Sequence, residues 1–279
     1  MPIQSKHNDP RIFQVFALSG LLFIGWHAFG FPLKPAQMLV IFTTALMTQL
    51  ITTRQQFDAW SASISALSLC LLLRTNDPIV SALAAATAIG SKHLIRFHGR
   101  HLFNPTAFAL VVVTTLFDGA WISPGQWGHE MLLIVAIASV GMLVSTRASR
   151  IDISLAYCAG FALLVLARAV YLGDPLTIAL HQLSNGALLI FAFFMLSDPR
   201  TTPARRGTRI VYALIVALAA ALIEWGFYRP NGAIVALVLT TPLIPLLDHI
   251  WPAANYAWHP LSTAGNATGE IEGERHVCT

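Results

Sequence analysis

The stretch Lys92-His-Leu-Ile-Arg-Phe-His-Gly-Arg-His-Leu-Phe-Asn-Pro-Thr-Ala-Phe-Ala-Leu-Val-Val-Val-Thr-Thr-Leu-Phe117 contains the pattern that organises the whole chain. Its first ten residues hold three basic side chains and three histidines, and after Arg100 no charged residue appears until Asp118. The uncharged part, with its flanks, approaches the ~20 helical residues that cross ~30 Å of hydrocarbon. The same alternation fills the chain. Stretches free of Asp, Glu, Lys and Arg cover 12–33, 35–53, 59–73, 78–91, 101–117, 131–146, 153–167, 175–197, 210–223 and 230–247. Apolar residues make up 56% and charged residues only 11% of the 279, against roughly 25% charged in a soluble domain. Mean hydropathy is +0.65. Such a chain cannot coat a water-facing surface, and disordered, collagenous and disulfide-scaffold classes are excluded on the same grounds. The expectation is an all-α integral membrane protein of about ten transmembrane helices, the shorter ones helped by tilt and snorkelling Lys or Arg.

The formal charge of +4 does not indicate nucleic acid, because the basic residues lie between apolar runs and form no patch. They set orientation instead. With a cytoplasmic N-terminus, thirteen basic residues (Lys6, Arg11, Arg54, Lys92, Arg96, Arg100, Arg147, Arg150, Arg200, Arg205, Arg206, Arg209, Arg275) fall inside and four (Lys34, Arg74, Arg168, Arg229) outside. Both termini are then cytoplasmic, residues 1–258 form one membrane domain, and 259–279 form a flexible cytoplasmic tail. No cleavable signal peptide is expected. Cys70, Cys158 and Cys278 show no metal-binding spacing. No spacing among His27, His93, His181 and His249 selects a haem pair.

A faint internal repeat links Ala-Phe-Ala-Leu-Val-Val-Val-Thr-Thr (107–115) with Ala-Ile-Val-Ala-Leu-Val-Leu-Thr-Thr (233–241). These runs lie in the fifth and tenth stretches. An odd number of helices per unit makes the second copy inverted, giving two five-helix halves at about 12–117 and 131–250.

Three polar islands interrupt the apolar runs: 92–105, 118–128 and 197–207. Their motifs are Gly-Arg-His-Leu-Phe-Asn-Pro (99–105), Asp118-Gly119, Ser-Asp-Pro-Arg-Thr-Thr-Pro (197–203), Pro230-Asn231-Gly232 and Pro245-Leu246-Leu247-Asp248. In this order and spacing the chain resembles the D-type subunit of the Rnf ferredoxin:NAD oxidoreductase complex. It also resembles the related B-type subunit of the sodium-translocating NADH:quinone oxidoreductase. The resemblance implies a bacterial inner-membrane electron-transfer subunit that works with other redox subunits. It further implies a flavin (riboflavin or FMN) and a quinone as redox groups. In that family FMN is esterified to a threonine in the outer loop after the Asn-Pro helix. Here that loop has Ser123 as its only hydroxyl and no matching signature, so non-covalent flavin is the expectation. The positions implied for it are Asn104 and Asp198, with His101 standing where the family has asparagine.

Flavin chemistry needs a flat slot and a few donors and acceptors at the pyrimidine edge. Phe103 offers a ring; Asn104, Thr201 and Thr202 offer polar groups. Each residue also has an ordinary role. Asp-Pro pairs, at Asp77, Asp174 and Asp198, commonly cap a helix with proline at its first position, and Asn104 before Pro105 does the same. Arg200, Arg205, Arg206 and Arg209 commonly set topology and meet lipid phosphates. Two other functional classes stay open on residues alone: a small-solute or ion transporter with inverted repeats, and a scaffold that docks redox subunits without a cofactor. No G-x-G-x-x-G follows a strand, so NADH oxidation is not expected within this chain.

Overall fold

The computed structural model describes residues 10–53, 57–123 and 131–253. The proposed tail, the loop residues 124–128, and Lys6, Arg54, Arg275 and Cys278 lie outside them. The described elements are α1 (Pro10–Ala28), α2 (Pro35–Thr52), α3 (Ala59–Leu72), β1 (Leu73–Thr75), α4 (Pro78–Leu94), β2 (Arg96–Phe97), β3 (Arg100–His101), α5 (Pro105–Leu116) and β4 (Ala120–Ile122). They continue with α6 (Met131–Arg147), α7 (Ile151–Leu172), α8 (Leu176–Leu183), α9 (Gly186–Ile190), α10 (Arg206–Ala221), α11 (Gly232–Thr240) and α12 (Leu243–Ile250). Helix α9 runs on as a wide π-helical turn, Phe191–Met195, and α10 as another, Leu222–Gly226.

Every uncharged stretch of the sequence is helical over most of its length. Among the described residues four helices are long and apolar enough to cross a membrane: Arg11–Ala28, Pro35–Thr52, Ile151–Leu172 and Arg206–Gly226. With each of two bent pairs, Leu176–Leu183 with Gly186–Met195 (45°) and Gly232–Thr240 with Leu243–Ile250 (51°), taken as one span, these residues hold six. The first bend has a local cause. Asn185 leaves the helical path and its Oδ1 accepts from Ala187 N, starting a new helix one residue after Ser184 closes the old one.

Side-chain placement is that of a protein in lipid. Large apolar residues such as Phe16, Leu39, Ile51, Leu163, Val170 and Leu218 point outward. The interior is rich in small residues that let helix backbones approach without a hydrophobic drive between them. Ala84, Ala85 and Ala88 on α4 and Ala213, Ala217 and Ala220 on α10 are fully buried. Helix α2 packs on α3 and α4, α4 on α5, and α1 on α3. Helix α7 packs on α8 and α10, α10 on α11, and α6 on α9. The α7–α10 contact depends on Gly160, where a Cβ would lie 2.6 Å from Leu214 Cδ2. The two groups of helices meet through α1 on α6 and α5 on α11.

Two short antiparallel ribbons, unexpected from the sequence, tie helix ends together. Leu73–Thr75 pairs with Ala120–Ile122, register Arg74↔Trp121, joining the ends of α3 and α5. Arg74 folds back so that its guanidinium donates to the Cys70, Leu71 and Leu73 carbonyls, which the end of α3 leaves without helical partners. The second ribbon, Arg96–Phe97 with Arg100–His101, closes through His98 (φ 47°) and Gly99 (φ 79°). Both are left-handed, the requirement of a tight type I′ hairpin turn.

Candidate functional site

The start of α1, the end of α2, the start of α3, the end of α4 and the start of α5 meet at one end of the bundle, around a cavity of about 240 Å³. The hairpin turns the chain back after α4 and aims His101 into this cavity, and Leu102 N donating to Ile95 O holds the turn in place. The opposite wall is Asp198-Pro199-Arg200. Asp198 does not begin a helix, contrary to the Asp-Pro expectation. Its Oδ1 accepts from Arg200 N and its carbonyl from Thr201 N, closing a tight turn. The physical reason is Pro203: a helix begun at Pro199 would place it in the interior, without an N–H and against the preceding turn. The next helix therefore waits until Arg206. The turn leaves Asp198 Oδ2 facing His101 Nε2 at 3.6 Å.

Charges of both signs converge here. Lys92 is only 8% exposed although it is a lysine. Its Nζ donates to the Ser61 carbonyl (2.8 Å) and Ser61 Oγ (3.0 Å). Asp58 caps α3 through Ser61 N and pairs with Arg11. Burial pushes the Asp198 carboxyl up, but the His101 imidazole, the Arg200 N–H and the Lys92 charge together pull it below its ordinary value. Asp198 is thus an anion inside a cavity that also presents Arg11, Lys92, Arg96 and Arg200. His101 Nε2, a buried polar atom, makes no hydrogen bond among the described residues and has Asp198 Oδ2 opposite it.

Of the residues singled out in the sequence, His101 and Asp198 line the cavity; Phe103, Asn104, Thr201 and Thr202 are not among its lining residues. Asn104 lies just behind it. Its Oδ1 accepts from Ala107 N (3.0 Å), capping α5, and its Nδ2 donates to the Met195 carbonyl (3.2 Å) in the π-helical turn. Phe103 stacks on Phe108, centroids 4.9 Å apart. Thr201 is buried in the Asp198 turn. Thr202 Oγ1 accepts from Arg150 Nε. Two arginine clusters brace the same end. Arg209, expected at the lipid surface, is buried and fork-bonded to Asp152; Arg100 pairs with Asp248, which also accepts from Ala204 N. Sequence reading missed Lys92 and Asp58 as cavity residues. The signal was present for Lys92: an ionisable residue in the last turn of an apolar helix marks a functional position by default.

These features define the class: an all-α membrane protein with a charged, partly enclosed cavity at one end of its helices. Residues 119–257 match the NQR2, RnfD, RnfE family, the family that the motif order resembles. Asp118-Gly119 straddles the start of this match and the Ser197–Pro203 motif lies inside it, whereas Gly99–Pro105 lies upstream. The chain is similar to the D-type subunit of the ion-translocating oxidoreductase complex of Marinobacter nauticus, 27% identical over 133 residues (47% of this chain, 37% of the relative). It is also similar to the corresponding subunit of Psychromonas ingrahamii, 24% identical over 218 residues (77% and 56%). The Stutzerimonas stutzeri counterpart is 35% identical over 72 residues (25% and 20%). The chain thus aligns with about a fifth to just over half of the length of these relatives.

Proposed function

We propose that the protein is an electron-transfer subunit of a membrane oxidoreductase complex, holding a non-covalent flavin, riboflavin or FMN, in the cavity that His101 and Asp198 line and passing electrons to or from a quinone. The observation that carries this reading is the convergence of buried Lys92 with half-buried His101 and Asp198 on one cavity, in a chain whose second half matches the NQR2, RnfD, RnfE family. The donor set suits the group. His101 lines the cavity with an Nε2 that makes no hydrogen bond among the described residues and faces Asp198 Oδ2 at 3.6 Å; it would meet a ring nitrogen or carbonyl. Lys92, held by Ser61, would supply positive charge on the cavity wall to the bound group. Asp198 accepts from a ring N–H or ribityl hydroxyl. Arg96 and Arg200 are available to a phosphate. When bound, the flavin supplies one- and two-electron transfer; the chain's residues orient it and set the charge around it. Asn104 acts as a positioning residue, because it fixes the start of α5 and the Met195 carbonyl together.

The same proposal includes ten membrane crossings in two inverted five-helix halves, in a bacterial inner membrane with both termini cytoplasmic. It is supported by the matched packing: first helix on third, second on third and fourth, fourth on fifth, in each half. Ten of the described Lys and Arg residues lie at the Lys92 end and four at the other, which makes the Lys92 end cytoplasmic under the positive-inside rule.

Gently purified protein should be yellow and release its flavin on denaturation, and Asp198→Ala should be folded but colourless. A colourless wild-type protein refutes the flavin reading and favours the transporter or scaffold classes. Single cysteines at Ser123 and Arg205 should label from opposite faces of intact cells, Ser123→Cys from outside. The reverse pattern inverts the topology.

A further inference from the structure

The β2–β3 hairpin has two faces with different surroundings. Side chains alternate across a strand, and the register pairs Arg96 with His101 and Phe97 with Arg100. Arg96 and His101 line the Lys92 cavity, whereas Phe97 and Arg100 are not among its lining residues. On this second face Arg100 pairs with Asp248 of α12, and Phe97 is 44% exposed, with only the neighbouring His98 ring against it. Just before the hairpin, Leu94 is 85% exposed. It stands eleven residues beyond Leu83, about three helical turns, and so continues the outward face of α4 that Ile79 and Leu83 mark. Other exposed aromatic residues stand at the same end of the bundle: Phe57 and Trp60 at the start of α3, and Trp251 after α12.

We propose that the outer face of this hairpin rests on the phospholipid surface at the Lys92 end, with Leu94 and Phe97 inserted at the boundary between headgroups and acyl chains. Three observations select lipid as the occupant. The Leu94 face runs on without a break from the outward side of α4, which lipid covers. Phe97 belongs with Phe57, Trp60 and Trp251, and aromatic side chains collect where a membrane meets water. The hairpin also satisfies polar groups internally: its strands pair, Leu102 N donates to the Ile95 carbonyl, and Arg96 donates to the Gly99 carbonyl. Such a ribbon enters the interface without stranding those donors and acceptors. The hairpin is then a thin plate with the cavity on one side and lipid on the other, and the bilayer holds His101 in place from outside. The proposal goes beyond the flavin reading and stands without it, since it concerns the face that the cavity does not use.

The test places an environment-sensitive nitrobenzoxadiazole label on Phe97→Cys in the full chain, reconstituted in phosphatidylcholine vesicles. Arg205→Cys, on the exposed turn before α10, is the aqueous comparison, and the wild-type chain labelled in parallel corrects for the native cysteines. A nitroxide carried high on the lipid chain should quench the Phe97→Cys label several-fold more than iodide present on both sides of the membrane. The order should reverse at Arg205→Cys. Leu94→Cys should follow Phe97→Cys, which keeps the test decisive if Phe97→Cys fails to fold. Phe97→Asp should lift the ribbon from the lipid, seen as several-fold faster amide hydrogen exchange over residues 96–101 in vesicles. The readout requires no flavin, so a colourless protein, which would refute the flavin reading, leaves this test intact. Iodide quenching of both hairpin labels equal to that at Arg205→Cys, or unchanged exchange in Phe97→Asp, would overturn the proposal. So would hairpin labels that neither quencher reaches, the sign of another protein chain on this face.

Discussion

Helices α5 and α11 carry similar sequence, residues 107–115 and 233–241, and pack on one another, yet they begin in opposite ways. Asn104 caps α5 from within, its Oδ1 on Ala107 N and its backbone at an ordinary φ of −59°. Asn231 stands at the start of α11 with φ 61° and makes no side-chain cap. The Glu224 side chain, from the π-helical turn after α10, lies against the start of α11 beside Gly232. Both arrangements answer the same requirement, since a helix start leaves donors that must find partners away from water. The difference lies in what each solution leaves over. In α5 the capping amide still has a donor, which reaches across to Met195. In α11 the asparagine keeps an acceptor without a partner among the described residues, and Glu224 from the π-helical turn after α10 sits against α11 instead.

The contrast can be broken most forcefully at Gly232. A Cβ there would lie 2.4 Å from Glu224 Cγ and 2.7 Å from the Ala220 carbonyl oxygen, which is backbone and cannot swing away. Gly232→Ala should destabilise the protein by about 1–3 kcal/mol, seen as a lower thermal midpoint in detergent; an unchanged midpoint would mean that Glu224 is not seated on α11. Asn104→Ala should have the next largest effect. It removes a cap worth about 1 kcal/mol, and its separate signature is loss of flavin through movement of Met195 and the adjoining Asp198 turn. Full flavin content in a destabilised Asn104→Ala would reduce Asn104 to a cap alone. Asn231→Gly should be the mildest, within about 0.5 kcal/mol, because glycine adopts its left-handed backbone freely and no cap is lost. A large loss there would show an unrecognised structural bond at Oδ1.

The helical segments were legible because lipid leaves a direct record in the sequence: where hydrocarbon surrounds the chain, charge is excluded. Their interruptions were not. A π-helical turn such as Phe191–Met195 changes no composition, and the break at Ser184-Asn185 is visible only as one more asparagine. The His98–Gly99 turn was hidden inside a run read as a polar island, although a glycine between two short alternating segments is a hairpin signal. Motif order singled out His101 and Asp198, and both line the Lys92 cavity. Asp198's turn was misread because Asp-Pro was weighed without the later Pro203. Lys92 was read for orientation and as the start of a polar island, but not as a cavity residue. Its burial depends on Ser61, 31 positions away, and no local pattern encodes that partner.

The bond from Asn104 to the Met195 carbonyl joins residues 91 positions apart. At a synthesis rate of roughly 5–20 residues per second, the second partner leaves the ribosome about 5–20 s after the first. For that interval the Asn104 amide has no Met195 carbonyl to meet, so the contact that ties the start of α5 to the π-helical turn forms only once the broken segment is complete.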